Sequence, residues 1–167
     1  MRAVKILWRV LSAIITVLLC LVLFFNVYTF AARAATDNPY PTVFGFGTAV
    51  VLSGSMEDAI SVNDLVIYKS QDSYRRGDII SYNTGSSLVT HRVVDVTETG
   101  YITKGDANNT PDSPILAEQV VGRVLLIVPG VGAAIEFAQS PMGMMILIGI
   151  LLIAIILPGK YSGKYGK

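Results

Sequence analysis

Cysteine is almost missing from this chain. Of 167 residues only Cys20 is one, so no disulfide can form within the protein. It lies in an apolar run, where a thiol reads as a small hydrophobe. Charge is scarce as well. Only 15% of residues are charged and 52% are hydrophobic, an imbalance that points away from an ordinary soluble domain and toward a membrane class. The formal net charge of +1 leaves no electrostatic basis for a nucleic-acid partner. Internal repeats and low-complexity segments are absent. His91 is the single histidine, so any imidazole chemistry must run through it.

Two runs carry no charge at all, 10–32 and 137–159. As a helix the first would be about 34 Å long, enough to cross a hydrocarbon core of about 30 Å. Arg2, Lys5 and Arg9 precede it, and Lys160, Tyr161, Lys164, Tyr165 and Lys167 follow the second. Basic residues outside both runs predict, by the positive-inside rule, a cytoplasmic N-terminus (1–9) and a basic cytoplasmic tail (160–167). The expectation is a multi-pass protein of the cell membrane with 36–136 on the extracytoplasmic side. Two other readings compete. Arg2 to Arg9, an apolar run and then Ala32-Arg33-Ala34 resemble a cleavable signal peptide, although its apolar core usually holds only about 7–15 residues. The second run could instead be a buried core helix.

Between the runs the pattern is that of a compact, mostly antiparallel β domain. Pro39, Pro41, Gly45 and Gly47 read as a juxtamembrane linker. Strands are expected at 48–52, 64–69, 78–82, 88–96, from 101, and at 120–128, from their content of β-branched and aromatic residues. Asn83 to Ser87 reads as the turn of a hairpin, and 106–114 as a polar loop. Helical periodicity is absent from this region.

The stretch Ser53-Gly54-Ser55-Met56 follows an apolar strand candidate. Alone it reads as a turn, and it is not the G-x-S-x-G elbow of hydrolases. His91 lies mid-strand on one face with Val89 and Val93. Alone it reads as a half-buried strand histidine. Asp106 and Asp112 would each, taken singly, be turn-forming acids. Together they allow more. A serine hydroxyl is a weak nucleophile until a base takes its proton. A neutral imidazole can do so, and a carboxylate can hold its tautomer and orientation.

The ordered set SGSM (53–56), RRGDIISY (75–82), THRVVDV (90–96) and KGDANNTPD (104–112) resembles type I signal peptidase, in the ER-type branch found in eukaryotes, archaea and some sporulating Gram-positive bacteria. The resemblance implies that fold, mainly β, between two transmembrane helices. It implies a membrane-bound serine endopeptidase that removes signal peptides from exported preproteins after small residues at −1 and −3. It gives Ser55 as nucleophile, His91 as general base and Asp112 as the acid of the triad. Ser53 becomes the hydroxyl that assists the oxyanion, and Asp106 a second acid that orders the site. Because Asp106 follows Gly105 just after a strand, where a tight turn takes a short polar residue, its carboxylate is expected to engage the amides of 107–109. Val50, Val51 and Leu52 before the serines, with Ile79 and Ile80, are expected to pair with the extended substrate by β-augmentation. No metal or cofactor is called for. The partners implied are preproteins, the lipid bilayer and the secretion translocon. Two departures stand out: Asp58 where family members commonly have proline, and GDANN where many have GDNN. Two other mechanisms compete, a Ser/Lys dyad using Lys69 or Lys104, and a non-catalytic membrane subunit with a β domain.

Overall fold

The computed structural model describes residues 2–35 and 40–162. Pro39 of the expected linker, the expected domain start at 36, and Lys164, Tyr165 and Lys167 of the basic tail lie outside the described residues. The chain divides into two compact units, Met1–Asn38 with Phe137–Lys167, and Pro39–Glu136.

In the first unit, α1 (Arg2–Ala35) is a continuous helix. Its segment Val10–Ala35, 26 residues, is long and apolar enough to cross a membrane, about 39 Å of helix. It therefore runs past the end expected at 32. The second expected span, 137–159, is not one helix. Its first residues belong to α2 (Gly132–Gln139), and α3 starts afresh at Pro141 and runs to Ser162. Ser140 makes the break. Its hydroxyl donates to the Phe137 carbonyl (2.7 Å) and accepts from the Gly143 amide (3.0 Å), as an N-cap does. Pro141 lacks the amide that α2 would need to continue, yet suits the first position of a new helix. α1 and α3 contact each other.

The second unit is one antiparallel sheet. Its strands are β1 (Phe46–Val50), β2 (Leu65–Lys69), β3 (Ile79–Asn83), β4 (Leu88–Val96), β5 (Gly100–Lys104), β6 (Ile115–Leu116) and β7 (Val120–Val128). They lie in the order β1-β2-β7-β3-β4-β5-β6. Six of them fall within two residues of the expected positions. β6 and the short helix α2 did not show in the sequence, because two residues or eight give too little periodicity to read. Alternation along the strands buries one face. Tyr74, Ile80, Tyr82, Val93, Tyr101 and Ile115 form one apolar cluster, and Met56, Ile60 and Val66 a second.

Three local devices aim the sheet at one region. Gly77, at φ +95°, turns the chain into β3 while Asp78 accepts the Arg75 amide. Asn83 accepts the Gly85 amide and closes the tight turn between β3 and β4. That turn fixes the hairpin register, with Ile80 opposite His91 and Tyr82 opposite Val89. The buried Asp64 is the third. Its carboxylate takes the amides of Ser61 and Gly130 (2.9 and 3.0 Å), and its carbonyl takes the amide of Val51 (2.9 Å). The segment entering the two serines is thereby tied to β2 and to the end of β7. Asp64→Ala should lower stability by about 1–3 kcal/mol, the cost of amides left without a charged acceptor. A thermal unfolding midpoint unchanged by the substitution would show that this anchor is dispensable.

Candidate active site

Ser53 and Ser55 sit at a single 3-10 turn, Gly54–Met56, directly after the segment tied down by Asp64. Met56 is buried in the second apolar cluster and pins the turn from below. The sulfur of Met56 accepts the Asp106 amide (3.4 Å), and the Ser55 carbonyl accepts the Ala107 amide (2.9 Å). The polar loop after β5 thus packs on the serine turn. Gly105 makes that approach possible, since a Cβ there would lie 2.5 Å from the Ser55 carbonyl oxygen. The loop then folds back, and the Asp112 amide donates to the Thr103 carbonyl (2.8 Å).

These contacts bring three side chains into line. Ser55 Oγ lies 3.0 Å from His91 Nε2, and His91 Nδ1 lies 2.6 Å from Asp112 Oδ2. His91 is only 7% exposed, held on the core face of β4 beside Val93. Ser53 Oγ is 3.3 Å from Ser55 Oγ, on the exposed side of the turn. Asp112 Oδ2 receives two further donors. Thr103 Oγ1, fully buried, lies at 2.7 Å and the Tyr82 hydroxyl at 3.3 Å. Burial, with the negative charge of Asp112 beside it, raises the Tyr82 phenol above its ordinary value although the Thr103 hydrogen bond acts the other way. It therefore stays a donor. Sequence reading missed Tyr82 and Thr103. The hairpin register would have placed Tyr82 on the face of His91, but nothing in sequence ties Thr103 to a residue nine positions on.

Asp106 occupies a different place. Its carboxylate is held by Arg92 through two parallel bonds, Nε at 2.9 Å and Nη2 at 2.6 Å. Arg92 also donates to the Gly77 carbonyl. The expected engagement of this carboxylate with the amides of 107–109 is therefore replaced by a bidentate guanidinium pair, the better match for a planar carboxylate.

The five residues expected along the substrate divide. Leu52 is 76% exposed beside Ser53. Val51 and Ile79 are half-buried against the Met56 cluster, and Val50 pairs with Leu65 on β2. Ile80 is fully buried, and both its edges are taken, by His91 on β4 and Arg123 on β7. It therefore cannot take a substrate strand. The open edges are elsewhere. β1 is an edge strand, and β4 pairs with β5 only from Arg92 onward, leaving 88–91 without a strand partner on that side among the described residues. Of the lysines in the competing dyad, Lys69 lies over the Phe46 ring. The nitrogen base that the described residues bring to Ser55 Oγ is His91.

A serine, an imidazole and a carboxylate joined in that order are the arrangement of serine hydrolases, and that is the class the fold and site define. No family model matches the chain. It is 32% identical over 141 residues to the signal peptidase complex catalytic subunit SEC11 of Metarhizium acridum, covering 74% of this chain and 78% of that one. To the corresponding subunit of Pyrenophora teres f. teres it is 32% identical over 142 residues, covering 74% and 79%. Signal peptidase I W of Bacillus subtilis is 36% identical over 89 residues, 48% of this chain and 47% of that one. The chain belongs to the type I signal peptidases, in their ER-type branch.

The Arg92 pair holds the Asp106 carboxyl below its ordinary value, chiefly by hydrogen bonding. A carboxyl depressed on folding adds stability above its unfolded value of about 3.9 and loses it as pH falls through the lower folded value. Asp106→Asn should therefore unfold earlier than wild type at neutral pH, with the gap closing in acid. Melting curves whose separation did not change between neutral and strongly acid pH would contradict this account of the pair.

Proposed function

We propose that this membrane-associated peptidase removes signal peptides with Ser55 as nucleophile, His91 as base and Asp112 as the acid that orients it. The observation that carries the reading is the continuous chain Ser55 Oγ–His91 Nε2 and His91 Nδ1–Asp112 Oδ2 at 3.0 and 2.6 Å. In this scheme neutral His91 takes the Ser55 proton as the hydroxyl oxygen attacks the scissile carbonyl. The charge forming on that carbonyl is received by the Ser55 amide and the Ser53 hydroxyl. His91 then gives the proton to the leaving amine, and a water activated by the same imidazole frees the acyl group. Thr103 and Tyr82 donate to Asp112 Oδ2 and hold the carboxylate facing His91. Asp106 and Arg92 hold the loop rather than the reacting atoms.

The substrate is an extended preprotein segment with small residues at −1 and −3. The free edge of β1 and the open 88–91 edge of β4 are the places where its main chain would pair. α1 and α3 each cross the membrane in this reading. The chain ends are then cytoplasmic and 36–136 lies on the trans side, where preproteins emerge beside the secretion translocon.

Ser55→Ala should abolish cleavage of a preprotein in vitro, and Ser53→Ala should slow it by roughly 10²–10³. Asp112→Asn should stay folded and lose about 10⁴ in kcat, whereas Asp106→Asn should keep the His91 pairing and most activity. A folded, inactive Asp106→Asn beside a fully active Asp112→Asn would reverse the assignment. For topology, protease added to right-side-out vesicles should degrade the β domain and spare a tag on Lys167. A protected β domain would place the site on the wrong face of the membrane for this function.

A further inference from the structure

Asn63, just before β2, stands at φ +73°, in the left-handed region that asparagine tolerates better than most residues. Its amide donates to the Val51 carbonyl (2.8 Å), and its carbonyl accepts the Gly132 amide (2.9 Å). Its side chain reaches the same place. Oδ1 accepts the Ala133 amide, and Nδ2 donates to the Gly130 carbonyl (3.2 Å). Gly132 and Ala133 open α2, and the first amides of a helix have no partner within it. Asn63 thus caps α2 from 70 residues away in the chain. The start of α2 presses on the same spot. A Cβ on Gly132 would lie 2.5 Å from Val50 Cγ1 and 2.8 Å from the Asn63 carbonyl oxygen.

The joint matters because of what leaves it. Val51 is held at both backbone groups, its carbonyl by Asn63 and its amide by Asp64. Ser53 and Ser55 follow at once. β1 has already ended at Val50, and Leu52 is 76% exposed. The serine turn is therefore held from beyond by Met56 and the Ala107 amide, and from before by the Val51 joint. Reaction geometry is unforgiving at this scale, for a shift of about 1 Å can cost about 10²-fold in rate. We propose that Asn63 is a positioning residue for Ser55: its clamp on 130–133 fixes Val51, and through Val51 the approach of Ser55 Oγ to His91 Nε2. The proposal rests on Ser55 acting as the nucleophile.

The single histidine makes the test direct, since every imidazole signal in a nitrogen NMR spectrum belongs to His91. The full chain is studied in detergent micelles. Cleavage of a preprotein is assayed in parallel, well below each variant's unfolding midpoint. Asn63→Gly keeps access to the positive φ and removes the side-chain clamp. It should lower kcat by roughly 10- to 10²-fold. It should also move the His91 Nε2 resonance toward its position in Ser55→Ala, while the Nδ1 resonance, set by Asp112, stays. Asn63→Asp keeps an acceptor for the Ala133 amide and should recover part of both effects. It gives the same readings if the glycine variant does not fold. Tyr74→Phe removes the acceptor of the Gln71 amide, away from the joint, and should leave kcat and both resonances at their wild-type values. A lower midpoint for Asn63→Gly with wild-type kcat and an unmoved Nε2 resonance would make the residue structural only and overturn the proposal. So would a fall in kcat with Nε2 unmoved, because the effect would not pass through Ser55. If Ser55→Ala cleaves at the wild-type rate, the nucleophile assignment fails and the proposal fails with it. An inactive Ser55→Ala beside an unaffected Asn63→Gly sinks the proposal alone.

Discussion

One carboxylate oxygen organises the domain. Asp112 Oδ2 receives the Thr103 hydroxyl, the Tyr82 hydroxyl and the His91 ring at 2.7, 3.3 and 2.6 Å. Its three donors come from β5, β3 and β4, so their relative positions are set by a single acceptor. A partly buried carboxylate is tolerated best when its hydrogen bonds are satisfied. Here they are supplied by two hydroxyls of the sheet core that also lie 3.3 Å from each other. The same oxygen thus offers an acceptor to two polar side chains of the core and lies 2.6 Å from the imidazole that faces Ser55.

Around that oxygen the rest of the site is held by contacts of ordinary kinds. Met56 buries its side chain and receives the Asp106 amide on its sulfur. Gly105 lets the loop close on the serine turn. Arg92 grips the loop by the Asp106 carboxylate from the face of β4 opposite His91. Two adjacent strand residues, His91 and Arg92, thus do separate work because alternation sends them to opposite faces. One faces Ser55 and the other the loop that carries Asp112.

Much of the sheet was legible beforehand, because half-buried strands of five to nine residues leave a strong alternating signal. The hairpin at Asn83 to Ser87 was legible for the same reason, with turn chemistry between two such runs. The second apolar run was expected to form one helix from Phe137, since composition shows where charge is missing but not where a helix breaks. Ser140 and Pro141 break it through a cap and a missing amide. Ile80 was misjudged as a substrate contact because its strand was identified without its neighbours. Only the sheet order shows β3 enclosed by β7 and β4.

The sequence by itself determined the apolar segments, the strand-rich middle and, through four ordered motifs, the family with its serine, histidine and two acids. Those features are local, or are carried by residue identity in a fixed order. It did not decide between Asp106 and Asp112 from chemistry, nor bring in Tyr82 and Thr103, nor show which edges stay open. Only the tertiary structure shows the contacts each of these residues makes, because they depend on which side chains meet across strands far apart in the chain. Asp106 faces a guanidinium and Asp112 an imidazole. The turn of the loop between them sends two acids six residues apart to opposite sides of the same strand.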